Sequence, residues 1–296
     1  MLDYTSIAAV AAVVREGSFE RGAASLGISP SAVSQRVRGL EERLGSILVV
    51  RGQPCEPTDL GRQLCSHLDR VRLLENDLLP SLADMPLQAA SPVTLEIAVN
   101  SDSLPTWFAA AVAMFDPDPH VTLSFTLDDE ARTADLLRTN RVLAAVTSEP
   151  EPVQGCKTTP LGALRYVACA TPSFMARFFP EGVKHDALSH APHMRFDTHD
   201  AMQAKWARQA HDVQLSAPMH WVRSTHGLLE FILSGIGWGM QPLRLVEDHL
   251  SSGLLVELPP KLRIDVELYW TVTRLHAVTL KKLTDAVLAV ADDRLF

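Results

Sequence analysis

The chain has 296 residues, 47% of them apolar and 21% charged, with glycine and proline scattered throughout. That length suggests two or three domains with cores of their own, and the composition excludes a low-complexity, disordered or collagen-like chain. The formal net charge of −8 excludes a protein that grips nucleic acid through bulk charge, because that grip comes from basic groups neutralising phosphates.

Charge must therefore be judged locally. Residues 1–90 contain nine Arg, eleven acidic residues and no Lys, and the first lysine is Lys157. DNA binding at this end has to rest on a few well-placed arginines. The N-terminus shows no basic patch followed by an apolar run, and no apolar stretch reaches the about 18 residues of a membrane span. The cytoplasm is the expected location, with no membrane partner. Cys55, Cys65, Cys156 and Cys169 match no metal or redox spacing and are expected to be ordinary reduced thiols.

Along the chain, Ile7, Val10, Ala11 and Val14 recur at helical spacing from Tyr4 to Arg15, and Gly17 stops that helix. Ser18 can cap a second helix beginning at Phe19, which ends at Gly27. Ser29 can cap a third with Pro30 in its first turn, running to about Leu44. Its apolar side is Ala32, Val33, Val37, Leu40 and Leu44. Ser31, Ser34, Gln35, Arg36, Arg38 and Arg43 are left on or near the other. Two short helices around a glycine-containing turn, the second polar and arginine-bearing outward, describe a helix-turn-helix.

Ile47 to Arg51 suit a short wing, broken by Pro54 and Pro57. Thr58 begins a helix in which Leu60, Leu64, Leu68, Val71, Leu74 and Leu78 form a seam long enough to pair with a second copy, or to pack on its own head. Pro80, Pro86 and Pro92 mark the domain boundary. Beyond it Val93 to Val99 alternates as a strand, a helix starts near Pro105, Val121 to Leu127 alternates again, and helix 130–139 leads into Val142 to Val146. This alternation predicts an α/β domain with a largely parallel sheet and ligands beyond the carboxyl ends of the strands.

Gly17-Ser18-Phe19, Ala23 to Leu26, Ser29 to Val37, Leu40-Glu41, Leu44-Gly45 and Thr58 to Gly61 strongly resemble the N-terminal region of LysR-type transcription regulators. Ala98 to Leu104, Asp128 to Thr133, Val142 to Thr147, Pro160 to Gly162 and Leu268 to Trp270 are similar to that family's ArgP branch, which responds to lysine and arginine. The resemblance implies a winged helix-turn-helix over residues 1–58, a dimerising linker helix and hinge over 59–91, and an effector domain over 92–296. That domain would be a type II periplasmic-binding-protein-like α/β fold of two subdomains, 93–162 with 270–296 and 166–267, crossed near Gly162 to Tyr166 and Leu268 to Trp270. The implied partners are double-stranded DNA, a second copy in a homodimer that could pair again as a dimer of dimers, and a small effector, lysine or arginine. No cofactor is expected.

Carried over by position, the groove-reading residues are Pro30, Ser31, Ser34 and Gln35, with Arg36 and Arg38 nearby and Arg51 on the wing. Gln35 stands where several relatives carry Arg, which would favour adenine over guanine. Alternatively Arg36, Arg38 and Arg43 are a solvated face paired with Glu41 and Glu42. At the effector end Asn100, Ser101, Asp102 and Ser103 follow the first strand of the domain, Asp128, Asp129 and Glu130 the second, and Thr147 and Ser148 the third. Thr198, Ser224 and Thr225 are similarly placed in the second subdomain. An acidic cleft with one hydroxyl-lined helix end suits a cationic amino acid, since each buried charge requires an opposite partner. Alternatively Asp129 and Glu130 stabilise a helix start and Ser103 merely caps one.

Gly235 to Gly239 lacks dinucleotide-loop spacing and is expected to end a helix and enter a strand. His185, His190, His193 and His199 lack zinc-ligand pairing and are expected to be structural or solvated. No nucleophile motif appears, so no enzyme is expected. A regulator of a different effector, a periplasmic binding protein or an architectural DNA protein are the other classes, the last two opposed respectively by the helix-turn-helix and by the cleft.

Overall fold

A computed structural model describes residues 2–78, 92–117, 119–127, 130–139 and 141–296. The predicted hinge between Pro80 and Pro92 therefore lies outside the described residues except at Pro92. In the head, α1 (Tyr4–Glu16) begins where the Asp3 carboxylate accepts the Thr5 and Ser6 N–H groups, and Gly17 closes it in the left-handed region at φ 67°. Ser18 caps α2 (Phe19–Ser25) through the Arg21 N–H, and Ser29 caps α3 (Pro30–Leu44) through the Ala32 N–H. Each cap satisfies a donor that the first helical turn would leave orphaned. Ile7, Val10, Val13, Val33, Val37 and Leu40 close one small core between the three helices.

The wing is a short antiparallel pair, β1 (Val49–Val50) with β2 (Glu56–Pro57). Glu41 fixes it to α3: its Oε1 accepts the Leu48 N–H at 2.7 Å and the Val49 N–H at 3.3 Å. Thr58 then donates to the Ile47 carbonyl at 2.8 Å and accepts the Gly61 N–H at 3.1 Å, starting α4 (Asp59–Leu78). The helix runs so close to the wing that a Cβ on Gly61 would stand 2.1 Å from the Leu48 carbonyl oxygen.

The predicted leucine seam of α4 divides in two. Leu60, Leu64 and Leu68 pack into the core of their own head, Val71 is half-buried, and Leu74 and Leu78 stay exposed, at 41% and 60%; Leu73, off the seam, belongs to the core of the following domain. The expectation of one continuous pairing seam is corrected accordingly: its first half is consumed by the head. The far end of α4 docks on the second domain, where Asp77 accepts the Val278 N–H at 2.7 Å.

In the second domain β3 (Val93–Val99) leads through a π-helical turn (Leu104–Phe108) into α5 (Ala109–Phe115), β4 (Val121–Leu127), α6 (Glu130–Arg138) and β5 (Ala144–Thr147). The long strand β6 (Cys156–Ala170) follows. The chain continues through α7 (Pro172–Phe178), α8 (His185–His190), β7 (His193–Arg195), α9 (Met202–His211), β8 (Met219–Trp221), α10 (Thr225–Leu233), β9 (Gly239–Pro242), α11 (Leu243–Ser251) and β10 (Val256–Glu257). It returns along β11 (Arg263–Thr273) to finish in α12 (Val278–Arg294).

The main sheet has the order β10-β6-β11-β5-β3-β4, with β9 also on β6. Only β3, β4 and β5, and separately β7 with β8, pair in parallel; β6 and β11 are antiparallel to each other and to their neighbours. A largely parallel sheet was the wrong expectation, because alternating strand and helix signals do not reveal that two long strands carry the chain out and back. Gly162 faces Leu268 across that pair, and the register shifts between Leu268 and Tyr269. Gly162 has φ 112°, and a Cβ there would press within 3.0 Å of Leu295. Buried Trp107, Trp206, Trp238 and Trp270 anchor the core, with Trp206 donating to the Leu262 carbonyl and Trp270 to the Thr284 hydroxyl.

Candidate DNA-reading face and effector cleft

At about 100° per residue, Ser31, Ser34, Gln35 and Arg38 fall within a sector of about 100° on α3. Pro30, Ser31, Gln35 and Arg38 are exposed and Ser34 half-buried. Arg36 lies apart from them: it is half-buried and lines a cleft of about 350 Å³ between the head and α4, alongside Tyr4, Leu68 and Arg72. Its placement beside the groove-reading residues is corrected, because it follows Gln35 by roughly another 100° toward the apolar side of the helix.

Arg38 pairs with Glu42 at 2.8 Å, an exposed contact of little energetic weight that a phosphate can replace. Arg43 pairs with Asp3, and Glu41 serves the wing instead of an arginine, so the uniform solvated ion-pair face also fails. Arg51 is exposed, its guanidinium 5.1 Å from the centre of the Phe19 ring. That stacking positions a cation beside the start of the helix-turn-helix. Phe19 and Glu41 are positioning residues that motif reading missed; only the contact between distant segments reveals them.

In the second domain the turn after β3 is the organising feature. The Ser103 N–H bonds to the Asn100 carbonyl at 3.2 Å, and the Thr106 hydroxyl donates to the Asp102 carbonyl at 2.6 Å. Ser103 is not a side-chain cap: its Oγ is fully buried with no partner, and Asn100 Oδ1 is likewise buried and unpaired. Ser101, between them, is half-buried.

Asp102, on the first half of the domain, accepts two hydroxyls from the second. The Tyr166 hydroxyl of β6 donates to Oδ2 at 2.7 Å, and the hydroxyl of Thr225, first residue of α10, donates to Oδ1 at 2.6 Å. Burial pushes the Asp102 carboxyl above its ordinary range, the two hydroxyl bonds pull it back, and the charge of Asp200 raises it further. Tyr166 and Asp200 are thus site residues that the candidate list lacked. Their sequence positions carry no motif, and Asp200 sits in a loop.

The remaining candidates separate. Thr147 is buried, its hydroxyl accepting the Glu149 N–H at 3.0 Å, and Ser148 is half-buried. Ser224 is exposed and caps α10 through the Gly227 N–H, while Thr198 is exposed and lends its carbonyl to Arg195. Asp128 and Asp129 lie outside the described residues, as does the side chain of Glu130. Among the described residues no group of three or more His, Cys, Asp or Glu could hold a metal. His193 is buried, and burial with Arg195 nearby drives it down to about 4. Gly235, at φ 71°, follows α10 and leads to β9.

A winged helix-turn-helix joined by a helix to an α/β domain whose two halves meet at a buried carboxylate is the layout of a ligand-responsive DNA-binding regulator. Residues 4–62 match the model of the bacterial regulatory helix-turn-helix proteins of the lysR family, and residues 89–292 match the LysR substrate binding domain. The chain belongs to the LysR family of transcription regulators. It is 41% identical over 295 residues to the HTH-type transcriptional regulator ArgP of Pseudomonas aeruginosa, covering 100% of this chain and 98% of that protein. To the HTH-type transcriptional regulator LysG of Mycobacterium tuberculosis it is 38% identical over 291 residues, 98% of this chain and 94% of that one. Among solved structures it resembles ArgP from Mycobacterium tuberculosis (TM-score 0.76, 36% identity, 100% and 99% of the two chains). It also resembles full-length LysG from Corynebacterium glutamicum with bound effector Arg (TM-score 0.67, 34% identity, 99% of each chain).

Arg51→Ala is expected to weaken binding to all DNA sequences alike and flatten its salt dependence by about one unit of slope, whereas Gln35→Ala relaxes preference at one base position. Titrations over salt and site variants check this; equal effects from both substitutions would contradict it. At the other end, a carboxyl whose pKa is higher folded than unfolded favours the fold fully below the unfolded value, about 3.9, and loses that contribution as pH rises through the folded value. Asp102→Asn should therefore raise the melting point at pH 7 and change it less near pH 3, where the carboxyl is protonated. Calorimetric melting at both pH values measures it.

Proposed function

We propose that this regulator reads DNA as a homodimer through Pro30, Ser31, Ser34, Gln35, Arg38 and Arg51, and answers to a cationic amino acid, lysine or arginine, bound between the two halves of its second domain. The exposed Leu74 and Leu78 at the end of α4 give a second copy an apolar surface to cover. Two heads then address two half-sites, since one head alone buries too little surface for tight specific binding.

The observation that carries the effector reading is the buried Asp102 carboxylate, carried by the first half, bonded by two hydroxyls of the second and flanked by the unpaired Asn100 Oδ1 and Ser103 Oγ. A buried negative charge with neutral donors is incompletely compensated, and an ammonium or guanidinium compensates it fully. Asp128, Asp129 and Glu130 remain candidates from the sequence alone, as do Ser101, Thr147, Ser148, Thr198 and Ser224. The arginine held by the Corynebacterium relative agrees in charge. A ligand that replaces or tightens the Thr225 bond shifts one half against the other, by as much as its affinity differs between the two arrangements.

The test is a calorimetric titration with L-lysine, L-arginine and leucine as the neutral control. Saturable binding of lysine or arginine and none of leucine is expected. Silence from both cationic amino acids, or equal binding of leucine, would refute the effector reading.

A further inference from the structure

The cleft holds more acceptor capacity than the chain itself uses. β7 and β8 are parallel, so their following loops emerge at one end, tied by the Val222 N–H to the Arg195 carbonyl at 3.0 Å. The second of these loops ends at Thr225, which touches Asp102; the first carries Asp200. The two carboxylates, one from each half, thus approach the same mouth, near enough for the charge on Asp200 to disfavour that on Asp102.

Asp200 is rigidly held. Its Oδ1 accepts the Met202 N–H at 3.0 Å, and its Oδ2 accepts the Phe196 N–H at 2.9 Å and Gln203 Nε2 at 3.3 Å. A carboxylate offers about four lone-pair sites, so it can take a further donor. Arg195 bonds the carbonyls of Thr198 and Asp200 and not the carboxylate. No ion pair among the described residues includes Asp102 or Asp200.

An independent observation points to a ligand at this place. Gln203 is 1% exposed, its amide nitrogen is fixed on Asp200, and its Oε1 has no partner. The unpaired amide oxygen of Gln203 thus belongs to the side chain that bonds Asp200, and that of Asn100 stands two residues before Asp102 on the same turn. Leaving such acceptors buried and unmet is costly, and a donor-rich ligand meets them.

Resting on the effector reading above, we infer that Asp200, with Gln203 beside it, is a specificity-determining residue that takes one of the effector's two cationic groups while Asp102 takes the other. The cleft then selects amino acids with a cationic side chain over neutral ones of the same shape.

The test is calorimetry on the full chain with arginine and with citrulline, the neutral isostere of arginine. The wild type should prefer arginine by at least about tenfold, and Asp200→Asn should weaken arginine by about tenfold while leaving citrulline within about twofold. Asn cannot replace every bond of Asp200, so Gln203→Met, which leaves the bonds of Asp200 to Phe196 and Met202 in place, is a second variant; it should weaken arginine about three- to tenfold relative to citrulline. An unchanged arginine preference in the folded variants, or equal losses of both ligands, overturns the role of Asp200 alone. A wild type that binds neither arginine nor lysine overturns the effector reading and this inference together.

Discussion

A carboxylate buried between the two halves of the second domain is the constraint around which that domain is arranged. Asp102 sits on the turn after β3, and its oxygens are bonded by a hydroxyl on the long strand β6 and another at the start of α10. Removing such a charge from water costs several kcal/mol unless donors replace the lost hydration. Two neutral hydroxyls replace part of it. The local polypeptide follows from this need: the tight turn at residues 100–103, the π-helical turn after it and the cap of α10 by Ser224 all present donors or backbone at one mouth. In the proposed reading the same incompleteness is what a cationic effector would complete.

The DNA-binding head solves a different electrostatic problem. A chain with net charge −8 must bind a polyanion, and its head leaves Arg38 and Arg51 exposed. Glu41 contributes by taking the wing amides of Leu48 and Val49, so its negative charge is turned inward and spent on structure. Phe19 supplies the flat surface on which Arg51 rests. The close approach at Gly61 then packs α4 tightly against the wing.

Much of this was legible from local signals. Ser18, Ser29, Gly17 and Gly45 mark the head helices because caps and left-handed residues act within a few positions of the chain. The turn at Asn100 to Ser103 was found because a strand end followed by polar residues is a local pattern. The sheet direction was not legible, since antiparallel return of β11 along β6 joins residues about a hundred positions apart. Arg36 was misplaced because a helical sequence shows which residues are polar and not where a neighbouring helix lies. Tyr166 and Asp200 were missed for the same reason: each becomes a site residue only when the fold brings it to Asp102. The seam leucines of α4 obey one period yet serve two surfaces, the core of the head and an exposed end, and periodicity alone cannot apportion them.

The most direct measurement is a crystal structure of the full chain grown with saturating arginine, refined at a resolution that fixes the ligand's nitrogens. The account predicts a cationic nitrogen of arginine within about 3.2 Å of an Asp102 carboxylate oxygen, with the ligand between the turn after β3 and the start of α10. Arginine bound elsewhere, with Asp102 still satisfied by Tyr166 and Thr225 alone, would contradict it.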